Sequence, residues 1–253
     1  MLKILNLFKL ELYKLKKQKT LKVLLLLVIL LSVLSAFSEI RILAEQGVSS
    51  SGKLSYEKAF QDIFMYFVCA VFAGLYIGAD FSNRTIQSYL SSGHSRISII
   101  IAKSLGFFMG TTIIMLLYPI TVTIINTIKF GWGEPFTFLS FCYILRVALL
   151  GSILNIGTNS VFVLFAFIFK DIPKTICASL LFPILFSFFQ SLIGDVIPIL
   201  KSVINVTTLA QLKNISIATI SYQQIFVIFL SFLIITIITL SLTYIIFDKA
   251  EIK

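Results

Sequence analysis

Residues 78–103, GADFSNRTIQSYLSSGHSRISIIIAK, hold the densest run of chemically capable side chains in an otherwise apolar sequence. Asp80, Arg84, His94, Arg96 and Lys103 stand between two long apolar runs, and no two of them are spaced as a catalytic set. The nearest approach to a phosphate loop, Ser91-Ser92-Gly93-His94, lacks the lysine of GxxxxGK[ST]. His94 is the only histidine and is expected to be solvated. What these residues can do is leave a membrane. Each charge would cost roughly 2.5–3.5 kcal/mol at a bilayer centre, so the segment is expected in water. Ile86, Tyr89 and Leu90 recur at helical spacing beside Arg84 and Gln87, which predicts a short amphipathic helix over 83–90, closed by Gly93. Apolar anchors flanked by arginines make a surface on which another protein can dock.

Elsewhere the chemistry is sparse. There is no HExxH, no GxSxG and no Ser/His pair in register, so hydrolase and protease readings find no residues. Every Asp and Glu is expected in a loop or at a span end, which speaks against a carrier driven by mid-membrane protonation. Cys69, Cys142 and Cys177 show no CxxC spacing and read as small core residues, with no metal or disulfide framework. Arg146 is either part of a substrate route, pairing with Glu134 or Asp195, or a side chain reaching for the outer headgroups. Asn155, Thr158, Asn159 and Ser160 form a polar patch inside an apolar run. Such residues bond neighbouring helices more often than they bind cargo, but Asn155 and Asn159 are kept with Arg146 as candidates for a pathway.

The elements that position these residues follow from composition. Of 253 residues, 58% are hydrophobic and 13% charged, and the mean hydropathy is +1.01, the make-up of an integral membrane protein. Residues 1–19 place Ile4, Leu5, Phe8, Leu12 and Leu15 on one stripe, with Lys3, Lys14 and Lys17 opposite, as in a helix lying along an interface. Leu7 and Leu10 fall toward its polar side. Six apolar runs follow, near 21–43, 60–79, 104–128, 141–169, 175–194 and 225–247, giving an all-α protein of six spans in one domain, 1–253. Pro119 is expected to kink the third. Residues 45–58 read as a plain loop, and 195–224, with Pro198 and Lys201, as an outer or re-entrant segment.

Six spans put both ends of the sequence on one side. That side collects Lys3, Lys9, Lys14, Lys16, Lys17, Lys19, Lys22, Arg84, Arg96, Lys103, Lys170, Lys174, Lys249 and Lys253. On the other side, Arg41, Lys53, Lys58, Lys129, Arg146, Lys201 and Lys213 face Glu39, Glu45, Glu57, Asp62, Glu134 and Asp195. The positive side is read as cytoplasmic. The formal charge of +10 is thereby an orientation signal, and a nucleic-acid partner loses its support.

Six spans, no phosphate loop and an ordered inner segment resemble the permease subunit of a type-2 ABC exporter of the bacterial peptide-export kind. The specific match is Gly78, Phe81, Thr85, Leu90, Ser91, Gly93, Ser95, Arg96 and Lys103, against a pattern G-x-E-F-x-x-G-T, L-S-x-G-x-S-R and K. Asp80 replaces the usual Glu, and Arg84 stands where Gly is common. The resemblance implies a basic elbow helix containing Glu11, Lys14 and Leu15, and a plasma-membrane location with cytoplasmic termini. Residues 80–103 would be the coupling loop, with Arg84, Thr85, Ile86, Tyr89, Leu90 and Arg96 against a cytosolic ATPase. It further implies ATP and Mg2+ on that partner and none here, a second permease copy or paralogue, and an amphipathic peptide as cargo. An exporter of lipid, glycan, drug or ion, and a membrane sensor subunit without transport, stay open beside it.

Overall fold

The apolar runs fold as helices, because a backbone within hydrocarbon must satisfy its own hydrogen bonds. The computed structural model describes residues 2–46, 50–196, 204–217 and 220–249, all helix, turn or coil, with no strand among them. Helix α1 (Leu2–Lys17) leads into α2 (Lys19–Gln46), and α3 (Gly52–Gln61) precedes α4 (Phe64–Ala73). A π-helical segment, Gly74–Gly78, joins α4 to α5 (Ala79–Ser82), and α6 (Thr85–Ser91) follows. Then come α7 (Arg96–Phe130), α8 (Phe138–Phe169), α9 (Ile172–Val196), α10 (Thr208–Gln211) and α11 (Tyr222–Lys249). Among the described residues, six helical stretches are long and apolar enough to cross a membrane: α2, Phe64–Ser82, α7, α8, α9 and α11. This is the architecture of a multi-pass membrane protein.

The second, third and fourth spans form the centre, and the others pack around them. Phe72, Tyr76 and Phe107 stack as a cluster, with the Phe72 centroid 5.1 Å from Tyr76 and 5.5 Å from Phe107. Gly110 lets α7 come this close, since a Cβ there would lie 2.5 Å from the Phe72 ring. On α2, α9 and α11 large apolar side chains such as Leu26, Leu185 and Ile237 face outward. Cys69 belongs to the core as expected, but Cys142 and Cys177 lie on outward faces. Helix α7 runs unbroken through Pro119, and α9 through Pro183.

Two expectations fail at the ends of the bundle. The third span begins at Arg96 rather than near residue 104, because Ser95 caps it: its hydroxyl accepts the Ser98 N–H at 3.3 Å. And 45–58 is not a plain loop, although 47–49 lie outside the described residues. Ser51 caps α3, whose Tyr56, Ala59 and Phe60 are buried, and Tyr56 donates to the Ile144 carbonyl at 2.9 Å. The backbone N–H of Gly52 bonds Gly131 at 2.9 Å, tying α3 to the end of α7 beside the buried Trp132. This is the far end of the bundle. Of the expected 195–224 segment, α10 packs there against α8, where the Thr158 and Thr208 hydroxyls meet at 2.8 Å; Pro198 and Lys201 lie outside the described residues.

Candidate functional site

At the near end, α1, the π segment, α5, α6 and the start of α7 converge on one group of charges. The Lys103 ammonium is fully buried, 2.5 Å from Glu11 Oε1, and it also bonds Asp80 Oδ2. Lys14 reaches the other Asp80 oxygen at 2.5 Å. Tyr76 donates to Glu11 Oε2 at 2.8 Å and Tyr89 to Glu11 Oε1 at 3.2 Å. Two carboxylates and two ammoniums make the group neutral, and two phenol hydroxyls take up lone pairs that would otherwise be stranded. Burial under such conditions is tolerable only while all partners are present.

This corrects the view that Asp80 and Lys103 lie in water. The cost assigned to each assumed an isolated charge, and here each is paired within the protein. It also turns α1 around. Its inward face carries Leu7, Glu11 and Leu15, while Leu5 is half exposed and Phe8 and Leu12 are half-buried, so of the stripe read from sequence Leu15 packs inward and the packing face is rotated toward Leu7 and Glu11. His94, expected in solvent, sits edge-on to the Tyr89 ring with centroids 6.3 Å apart. Burial leaves its mark on groups outside the spans. It holds the Lys14 ammonium below its ordinary pKa, helped by neighbouring Lys103 and opposed by Asp80. It pushes the Tyr89 phenol above its ordinary value, helped by Glu11 and Asp80.

Backbone irregularities place these groups. The π segment adds a residue to the turn, and Tyr76 and Asp80 come to one side while Gly74 and Gly78 face α9. A Cβ on Gly74 would lie 2.4 Å from the Ile176 side chain, and one on Gly78 3.2 Å from the Asp171 carbonyl. Gly106 leaves room for the Tyr76 hydroxyl, which a Cβ there would meet at 2.3 Å.

The loop between Asp80 and Lys103 is clasped from within. Ile86 is buried, and Tyr89 and Leu90 pack against the core, so three apolar side chains predicted as docking anchors are used by the chain itself. Arg96 donates to the carbonyls of Phe247 and, at 2.8 Å, Asp248, with its guanidinium 5.4 Å from the Phe247 ring. It thus satisfies the open C-terminal carbonyls of α11. Phe81 packs edge-on to Phe167 and Phe247 at 5.2 and 6.2 Å, adding the end of α8. Thr85 is half-buried, and what faces outward is Arg84 with Asn83, Ser88, Ser91 and Ser92. Arg84 has φ +57°, the left-handed region, and Gly93 closes α6 with φ +76°.

The residues considered for a pathway do not come together with this group. Arg146 donates to the Ile217 carbonyl at 2.7 Å and lies over the Tyr143 ring at 5.2 Å, near the far end. Glu134, one proposed partner, pairs with Lys53 at 2.9 Å instead; the Asp195 side chain lies outside the described residues. Asn155 accepts the Tyr66 hydroxyl at 2.5 Å, and Ser160 accepts that of Thr239 at 2.7 Å, so the polar patch does link helices. Asn159 is fully buried, and its amide has no hydrogen-bond partner among the described residues. No cluster of His, Cys, Asp and Glu among the described residues could hold a metal ion.

Sequence reasoning missed Glu11 as a partner, though Glu11 and Lys14 are one helical turn apart and Asp80 and Lys103 bracket the loop, a symmetry that could have suggested pairing. Compared with models of known protein families and with curated proteins, the chain matches none.

Proposed function

We propose that this protein is the membrane-embedded permease subunit of an ATP-driven exporter of the type-2 ABC kind. In this reading a second permease copy or paralogue completes the pathway and amphipathic peptides are the cargo. ATP and Mg2+ sit on a separate cytosolic ATPase. The observation that carries the reading is the construction of the loop at 80–103: its outward surface is polar, and its inward surface is fastened to α1, α7, α8 and α11 at once. A load applied at Arg84 would reach four helices without loss in a flexible linker.

The residue types of the resemblance acquire physical reasons. Gly78 stands where α9 leaves little space, and Gly93 at a positive φ. Arg84, where Gly is common, holds the left-handed backbone that favours Gly. The acid of the pattern, here Asp80, and its lysine, Lys103, are bonded to each other. Orientation with the near end in the cytoplasm is supported by the lysines and arginine exposed there: Lys9, Lys16, Lys17, Lys19, Lys22, Arg84, Lys174 and Lys249. The roles within the loop divide. Arg84 and the neighbouring serines would touch the ATPase, while Ile86, Tyr89, Leu90 and Arg96 hold the loop from behind.

The test is co-expression with candidate ATPases, co-purification, and ATP turnover in lipid with and without peptide. Arg84→Glu is expected to reduce co-purification while membrane insertion stays intact, and Tyr89→Ala to do the same by loosening the loop. Undiminished co-purification of both variants, or labelling of Ser88→Cys by an impermeant thiol reagent from outside the cell, would overturn the reading.

A further inference from the structure

The far end holds a groove for which the export reading has no use. It lies between α2 on one side and α3, α4 and α7 on the other, and has two continuous parts. The outer part, about 510 Å³, is lined by Glu39, Lys58, Asp62 and Ile42 among others. The part below, about 490 Å³, shares Ser35, Ser38, Asp62 and Tyr118 with it and is walled by Leu31, Leu34 and Phe64. From Leu31 to Ile42 the groove follows α2 for about 16 Å at 1.5 Å per residue, enough for a small head and a medium alkyl chain.

Its polar end is organised. Asp62 accepts the Tyr118 hydroxyl at 2.8 Å and the Phe64 N–H at 2.9 Å. Glu39 Oε2 accepts the amide of fully buried Asn126 at 2.7 Å, and that amide also bonds Ser55 at 2.8 Å. Glu39 Oε1 is shielded from water yet accepts no hydrogen bond among the described residues. Lys58 stands 3.6 Å from it, on a side chain 57% exposed. That ion pair is long and its lysine faces water, so it offsets little of the cost of shielding the Glu39 oxygen. Two carboxylates against one loosely held ammonium leave this end negative, above an apolar slot.

We propose that the groove binds a cationic amphiphile, its ammonium or guanidinium head on Glu39 and Asp62 and its apolar chain along Leu31, Leu34 and Phe64. A phosphate in the head would meet the same carboxylates and be repelled, so phospholipid is disfavoured against a plain cation. The inference does not depend on the export reading, and its test needs no ATPase.

The test is photolabelling of the full chain, in neutral maltoside micelles, with a diazirine-bearing dodecylammonium. The dodecanol and dodecylphosphocholine analogues serve as comparisons, and labelled peptides are mapped by mass spectrometry. The ammonium probe is expected to label 31–42 and 118–122 roughly tenfold more than the alcohol, the effect of one charge-assisted contact. Glu39→Gln should remove that preference and leave alcohol labelling unchanged. Ser38→Trp, which fills the groove without touching an ion pair, should suppress labelling there by all three probes. Equal labelling by ammonium and alcohol, a preference for phosphocholine, or indifference to both substitutions would overturn the proposal.

Discussion

The two ends of the bundle use the same side chains to opposite effect. At the near end Glu11, Asp80, Lys14 and Lys103 are matched in number, with Lys103 and Glu11 wholly out of water. At the far end Lys58 is the one cation among the described residues lining the groove of Glu39 and Asp62, at 3.6 Å from Glu39 and largely exposed. The first arrangement has no spare valence and locks four segments together; the second keeps an oxygen held only by a long ion pair among the described residues, and an open slot. A closed charge group is suited to holding parts in register, an open one to receiving a ligand.

The sharpest way to break the comparison is to remove one lysine from each end. Lys103→Met leaves two carboxylates against Lys14 in a buried site, with Glu11 losing its ammonium, and is expected to cost about 3–5 kcal/mol, whereas Lys58→Met should cost less than about 1 kcal/mol. Thermal unfolding in detergent, with limited proteolysis around α1, measures both; equal effects would erase the distinction. Next in size is Gly106→Ala, which drives the Tyr76 hydroxyl off Glu11 and should cost about 1–3 kcal/mol. With Tyr76→Phe added, the loss of the double variant should be smaller than the sum of the two single losses, as a double-mutant cycle would record.

Smaller effects sharpen the picture of the loop. Arg84→Gly removes the steric penalty of a left-handed backbone and should raise stability by up to about 1 kcal/mol, with Arg84→Ala below Arg84→Gly in the same melting series. The least effect concerns pH. The folded pKa of Tyr89 is raised, so its contribution to stability is complete below the ordinary phenol value of about 10 and is lost as pH rises past it. Tyr89→Phe should flatten the alkaline fall in melting temperature by a small, measurable amount.

The helices at the two ends show why some features were legible and others not. The six spans follow from hydropathy, a local property, and α6 from Ile86, Tyr89 and Leu90 at helical spacing closed by Gly93. Helix α3 was equally local: Ser51 caps it, and Tyr56, Ala59 and Phe60 stand at spacings of three and one, but flanking Ser and Gly masked a face that only Ile144 and Trp132 reveal. The near-end charge group was beyond reach for a different reason. Lys14 bonds a residue 66 positions away and Tyr89 one 78 away, and no local window contains such pairs.

By itself, then, the sequence determined that six long apolar segments must become helices, because lipid offers the backbone no other partner, and that a polar loop must emerge between the second and third. Which face of α1 turns inward, where Asp80 and Lys103 go, and which carboxylate oxygen is held only by a long ion pair were decided only when the helices packed. A charge's cost depends on its neighbours, and those neighbours are assembled by tertiary structure.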